Sequence, residues 1–297
     1  MSTTSVRHTN DTTGARRIAD AFHAARADGR AALIPYVMAG YPDAETSLAI
    51  ACAAIDAGAD LLEVGLPYSD PLADGPTNQR AAQVALRAGI TFDGSLSLVA
   101  RIVAERPGVP IVPMGYANQL IGGGDGGERA QGLARAGACG VIVADLTPDE
   151  GGPFEAAAAE AGVAVVYLVA PTTDPLRRAA VAARSGGFLY CVSLVGVTGA
   201  RASLPASIGR LIADAKAVSP VPVAVGFGVS RPVHARAIAR AGADGVVSAS
   251  ALIDALGPEG RDVARMAALV RALRDGARLR DDARPADTAR LAEAAPR

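Results

Sequence analysis

The chain has 297 residues, half of them hydrophobic and a fifth charged, which is enough apolar material for a sizeable buried core. Its 29 Lys and Arg nearly balance 30 Asp and Glu, with no basic stripe to neutralise a nucleic-acid backbone. No window approaches the ~18 uninterrupted apolar residues of a membrane span, and Met1 to Gly14 lacks the apolar stretch of a signal peptide, so a cytoplasmic protein is expected. Cys52, Cys139 and Cys191 show no zinc-like spacing and read as small hydrophobes in a reducing compartment.

In chain order, residues 1–15 read as a flexible tail and Arg16–Ala27 as an extra helix ahead of the first strand. Apolar runs then recur at Ala32–Ala39, Leu61–Gly65, Ile111–Met114, Val141–Asp145, Ala164–Ala170, Leu189–Ser193, Val221–Gly226 and Val246–Ala249. Between them lie helical segments such as Asp43–Ala57, Pro153–Ala161, Pro175–Arg184, Leu204–Val218 and Arg231–Ala241. Helices repeatedly close on Ala-Gly just before a strand, as at Ala57-Gly58, Ala136-Gly137, Ala161-Gly162 and Ala241-Gly242; such a glycine takes the left-handed conformation that ends a helix. The strands are continuous apolar runs, as a sheet covered on both faces requires. Eight such units in ~250 residues predict an α/β fold, a single (β/α)8 barrel over residues 16–275, with a doubly wound open sheet as the runner-up. Residues 276–297 form a charged, alanine-rich tail.

Barrel enzymes work at the carboxyl ends of their strands. There the clearest anomaly is Glu63, a carboxylate inside the apolar run Leu61-Leu62-Glu63-Val64-Gly65. Desolvation penalises such a group unless it is paired or protonated. Strand residues alternate between the two faces, so Glu63 shares the face of Leu61 and Gly65, read as the lumen. A pKa raised by burial would suit a general acid near neutral pH. A structural ion pair is the competing explanation. The next loop, Leu66 to Pro76, carries three prolines and the aspartates Asp70 and Asp74, so it can present a second carboxylate in one defined shape.

The last units read as a phosphate cup. Gly226-Phe227-Gly228-Val229-Ser230 lets backbone approach an anion, and Ser250 is expected to cap a short helix, Ala251–Leu256, whose free N–H groups bind anions. Gly196-Val197-Thr198-Gly199 adds a mobile loop with one hydroxyl. The lone lysine, Lys216, falls late in a helix and toward the opposite face, which excludes a Schiff-base mechanism by this chain. His8, His23 and His234 do not make a metal site. Gly122 to Gly127 matches G-x-G-x-x-G with Asp145 beyond, yet it starts too far after its strand for a dinucleotide turn and reads as a loop. Carboxylate acid-base catalysis on a substrate with its own electron sink is what remains.

The segment Leu62 to Pro76 closely resembles the signature of the tryptophan synthase alpha chain family. Pro35-Tyr36-Val37 with Ala39-Gly40-Tyr41-Pro42, Tyr116-Ala117-Asn118, Ala170-Pro171-Thr172, Gly196 to Gly199 and Gly226 to Ser230 extend the similarity over roughly Ile18 to Leu273. The resemblance implies a (β/α)8 barrel that cleaves indole-3-glycerol phosphate to indole and glyceraldehyde 3-phosphate. By it, Glu63 matches the acid-base group that protonates the indole C3, and Asp74 the group that holds the indole N–H. Tyr190 matches a tyrosine beside Glu63, and Thr198 a mobile-loop threonine that meets Asp74 on closure. Gly199, Gly228, Ala249 and Ser250 match phosphate-binding backbone positions, and Phe227 stands within the matching strand 7 motif as a substrate-binding residue. Ala249 replaces a usual glycine but keeps a backbone N–H; Met38 and Thr147 replace a common threonine and proline, and Asn78 and the polyglycine loop are unusual.

The resemblance further implies no cofactor and no metal in this chain, and a beta-chain partner that carries pyridoxal phosphate in an α2β2 tetramer. Two alternatives stay open at this point: a stand-alone lyase that releases free indole, and a non-catalytic barrel that binds a phosphorylated ligand.

Overall fold

The computed structural model describes residues 9–122, 124–192, 206–226 and 228–279. Nine parallel strands run β1 Ala32–Met38, β2 Leu62–Gly65, β3 Ile111–Gly115, β4 Gly140–Val143, β5 Ala164–Val166, β6 Leu168–Val169, β7 Leu189–Val192, β8 Val223–Gly226 and β9 Gly245–Ser248. The helices are α1 Thr13–Ala27, α2 Ala44–Asp56, α3 Pro76–Arg87, α4 Phe92–Glu105, α5 Ala117–Leu120, α6 Gly127–Arg135, α7 Pro148–Glu160, α8 Pro175–Arg184, α9 Ala206–Val218, α10 Pro232–Arg240, α11 Ser250–Ala255 and α12 Val263–Gly276.

The sheet order is β5-β4-β3-β2-β1-β9-β8-β7-β6. Only Tyr167 separates β5 from β6, so the chain itself joins the two ends of that order and the sheet is a barrel. The expected fifth strand, Ala164–Ala170, is thus broken in two. Its first piece pairs with β4 and its second with β7. The Tyr167 N–H leaves the ladder for the Ser185 hydroxyl at 3.1 Å, and its carbonyl accepts from Tyr190 N–H at 3.0 Å. The other seven strands stand within two residues of the expected ends.

Helix starts differ more. α7 begins at Pro148, not Pro153, because proline is accommodated at the first helical position and Pro153 is carried inside the helix. α1 begins at Thr13, where the Thr12 hydroxyl accepts from Ala15 N–H at 3.0 Å. Gly137 and Gly162 end α6 and α7 with φ of +81° and +82°, the left-handed turn that the Ala-Gly pattern predicted.

Two apolar clusters divide the molecule. One lies between the sheet and its helices and contains Leu62, Val64, Val141 and Val223. The other fills the lumen with Leu61, Val112, Ile142, Ala164, Phe188 and Tyr190. It is closed at the amino ends of the strands by Ile18 and Phe22 of α1, with the Phe22 ring 5.8 Å from Phe188. The lumen is plugged below by these side chains, and its cavity lies at the carboxyl ends of the strands.

Below, the repeated Ala-Gly-Ala-Asp turns have a clear purpose. Asp60 accepts from Leu33 N–H of β1 and from Arg30, and Asp244 accepts from Val223 N–H of β8 and from Lys216. Each aspartate satisfies a backbone donor where its neighbouring strand enters the sheet.

Candidate active site

Alternation along β2 places Glu63 in the lumen. Leu61 joins the lumenal cluster, Leu62 and Val64 join the outer layer, and Glu63 is only 1% exposed. It pairs in register with Tyr36 of β1 and Val112 of β3. Among the described residues its Oε2 has no hydrogen-bond partner and no cation pairs with the carboxylate. Burial first, and the charge of Asp74 second, push its carboxyl up to about 8. Glu63 therefore holds its proton at neutral pH.

Two tyrosines flank it because two glycines leave room for them. The Tyr36 hydroxyl lies 1.9 Å from where a Cβ on Gly65 would stand, and the Tyr190 hydroxyl 2.5 Å from the equivalent point on Gly226. Burial chiefly, with the two carboxylates adding, lifts both phenols well above the ordinary range. They remain neutral O–H groups.

The loop after β2 brings Asp74 over the mouth. The Tyr116 hydroxyl donates to Asp74 Oδ2 at 2.7 Å, Asn78 Nδ2 to Oδ1 at 3.2 Å, and Gln79 Nε2 to its main-chain oxygen at 2.9 Å. Tyr116 in turn stacks on Tyr68 at 5.3 Å, and Asn118 Nδ2 donates to the Tyr68 hydroxyl at 2.7 Å. The loop is thus fixed by the tip of β3 as well as by its prolines. Of its two aspartates, Asp70 turns to the Ser69 hydroxyl at 2.6 Å in an exposed position, while Asp74 lines the cavity.

That cavity, of about 490 Å3, runs from Tyr36, Glu63, Asp74 and Tyr190 to Gly228, Ala249 and Ser250. Leu168, Val192, Met114 and Val247 supply apolar wall. At its far end Gly228 has φ of +53°. Ala249, not Ser250, is the N-cap of α11, and no side chain caps the helix. Ser250 is the first helical residue, so what it contributes is the N–H of an uncapped end rather than a capping hydroxyl. Thr198, Gly199 and Phe227 lie outside the described residues.

Lys216 is 2.6 Å from Asp244 at the plugged end, away from the cavity. His23 is exposed, and His234 is buried beside Ser230 and Arg231. Among the described residues no group of His, Cys, Asp and Glu could hold a metal ion, and the cysteines are free. The glycine-rich segment follows α5 rather than a strand, and Asp145 accepts from Ala117 N–H at 2.7 Å, so neither part of the dinucleotide pattern is in place. Sequence reasoning gave no site role to Tyr36, Tyr116, Asn78 or Thr173, which line the cavity or hold its carboxylate. The facing of the Tyr36 hydroxyl to Gly65 on the neighbouring strand is set by strand register, which the sequence alone does not give.

A sequence profile described as tryptophan synthase alpha chain matches residues 22–278. The chain belongs to the tryptophan synthase alpha chain family. The alpha chain of Roseiflexus castenholzii is 44% identical over 260 residues, 87% of this chain and 99% of that one. The alpha chain of Caulobacter sp. strain K31 is 44% identical over 80% of this chain and 86% of its own length. Among solved structures, Mycobacterium tuberculosis tryptophan synthase superposes with a TM-score of 0.81 at 42% identity, over 89% of this chain and 99% of that one. The subunit alpha from Legionella pneumophila str. Paris gives 0.79 at 32% identity, over 88% and 97%. Membership in an alpha-chain family implies a beta-chain partner. Among the described residues no helix is long and apolar enough to cross a membrane.

Proposed function

We propose that this chain is the alpha subunit of a cytoplasmic tryptophan synthase and cleaves indole-3-glycerol phosphate to indole and glyceraldehyde 3-phosphate. The observation that carries the reading is a buried Glu63, its Oε2 without a partner among the described residues, sharing one cavity with Asp74 and an uncapped helix end.

In this reading the phosphate rests on the backbone around Gly228, Ala249 and Ser250, with Gly199 and Phe227 completing the cup. The indole lies between the tyrosines and the apolar wall. Glu63 gives its proton to C3 of the ring, and the ring nitrogen takes up the positive charge. Asp74 accepts the N–H and stabilises that cation. The bond from C3 to the glycerol carbon then breaks and its electron pair returns to the ring, restoring indole. The hydroxyl on the departing carbon becomes the aldehyde and loses its proton, and the newly ionised Glu63, whose Oε2 has no hydrogen-bond partner among the described residues, is the base offered for it. Thr198 closes over Asp74 and excludes water. The chain needs no cofactor for these steps; pyridoxal phosphate belongs to the beta chain of an α2β2 assembly.

The test is indole release from indole-3-glycerol phosphate by the isolated chain, with and without a beta chain. Indole from wild type and none from Glu63→Gln is the expected result. No indole from wild type, or equal rates from both, overturns the reading.

A further inference from the structure

Asn78 occupies the third position of α3 and lines the cavity. Its Nδ2 donates to Asp74 Oδ1 at 3.2 Å while the Tyr116 hydroxyl donates to Oδ2 at 2.7 Å. Both carboxylate oxygens are therefore held, one from the helix that follows β2 and one from the tip of β3. The other end of the Asn78 amide is unmet: its Oδ1 is buried with no donor within reach among the described residues. Turned over, that carbonyl would face the carboxylate, so Asp74 selects the orientation. A leucine has nearly the same size and would leave no unmet acceptor, so packing alone does not call for an amide here.

We propose that Asn78 is a positioning residue for the cleavage reaction: together with Tyr116 it fixes the plane of the Asp74 carboxylate, so that the remaining lone pairs point to where the substrate's ring N–H arrives. The inference rests on the reaction proposed above. Each carboxylate oxygen can accept a second hydrogen bond, so one donor on each orients the group without using it up. Without Asn78 the carboxylate pivots about the Tyr116 contact. The substrate still binds through its phosphate and ring, and the bond that strengthens as the ring becomes cationic is lost.

The experiment measures kcat and KM for indole release by wild type, Asn78→Leu, Asn78→Asp and Asn78→Gln, with thermal midpoints as a check on folding. Asn78→Leu should lower kcat on the order of tenfold with KM little changed, as expected for loss of one charge-assisted hydrogen bond made to the transition state. Asn78→Asp keeps the shape but sets a like charge against Asp74, and should lose more. Asn78→Gln keeps the donor and should recover most of kcat. Wild-type kcat in Asn78→Leu and Asn78→Asp overturns the inference and leaves the reaction standing. An equal fall in all three variants with lowered midpoints makes the amide structural, and also overturns it. Absence of indole from wild type sinks the proposed function first, and this inference with it.

Discussion

A carboxyl that keeps its proton to about pH 8 places two opposed demands on Glu63. The proposed proton transfer needs the acid form, so indole release should decline as pH rises past that value, visible in a kcat profile. Stability moves the other way from an ordinary carboxylate. The folded pKa is raised from 4.5, so the folded state binds more protons than the unfolded chain between about 4.5 and 8. Stability is therefore lost as pH climbs through that window and levels off above it. Glu63→Gln removes the ionisation. Its unfolding free energy should match wild type near pH 4, exceed it increasingly up to pH ~8 and stay ahead beyond, by several kcal/mol at most; a constant offset across pH would refute this. A second residue-scale outcome concerns Gly65. An alanine there puts its methyl 1.9 Å from the Tyr36 hydroxyl, so Gly65→Ala should displace the ring into the cavity and raise KM, or lower kcat, with little change in secondary structure by circular dichroism. Glu63 was legible in the sequence because a charge inside an apolar run has few explanations. Tyr36 and Tyr116 were not, because a tyrosine is at home in any core, and where its hydroxyl points depends on which strand lies beside it.

Period and punctuation in the sequence carried the elements well: the apolar runs and Ala-Gly stops mark the strands and helix ends. Where the reading differed, a local rule met a longer-range one. Ala164–Ala170 is an unbroken apolar run, and nothing local says that it must turn from one neighbour to another at Tyr167 to complete the ring. In α7 two prolines compete for the first helical position, and the earlier one, Pro148, takes it, with Pro153 carried inside the helix. α11 starts at Ser250, one residue before the expected Ala251, and its N-cap is Ala249, although by residue type Ser250 is the stronger capping residue. The plug element offers a direct test. Ile18 is fully buried and its side chain meets both Gly140 and Gly187 at the bottom of the lumen. Ile18→Ala should destabilise by ~2–5 kcal/mol in chemical denaturation. Because the plug lies at the far end from Glu63, turnover per folded molecule should be unchanged; a fall in kcat would show that the two ends are coupled.

As a whole, the molecule separates its tasks by height along the barrel axis. Ion pairs and apolar plug seal the lower end, the acid sits midway, and the loops after β2 and β3 lie at the mouth. Those loops carry Asp74 and its Tyr116 partner, so a beta chain that touches them reaches catalysis through two hydrogen-bonded residues. Adding a beta chain should therefore raise kcat of this subunit rather than merely lower KM; equal rates with and without it would favour a lyase that acts alone.

The break at Tyr167 leaves this barrel with a seam. β6 and β7 meet over two residue pairs, whereas β1 and β9 share four, and the Tyr167 N–H is held by the Ser185 side chain rather than by a neighbouring strand. Breathing of the closed sheet should therefore reach that side before β1 and β9. In native-state hydrogen–deuterium exchange, the segment from Val166 to Val169 should take up deuterium before the stave formed by β1 and β9.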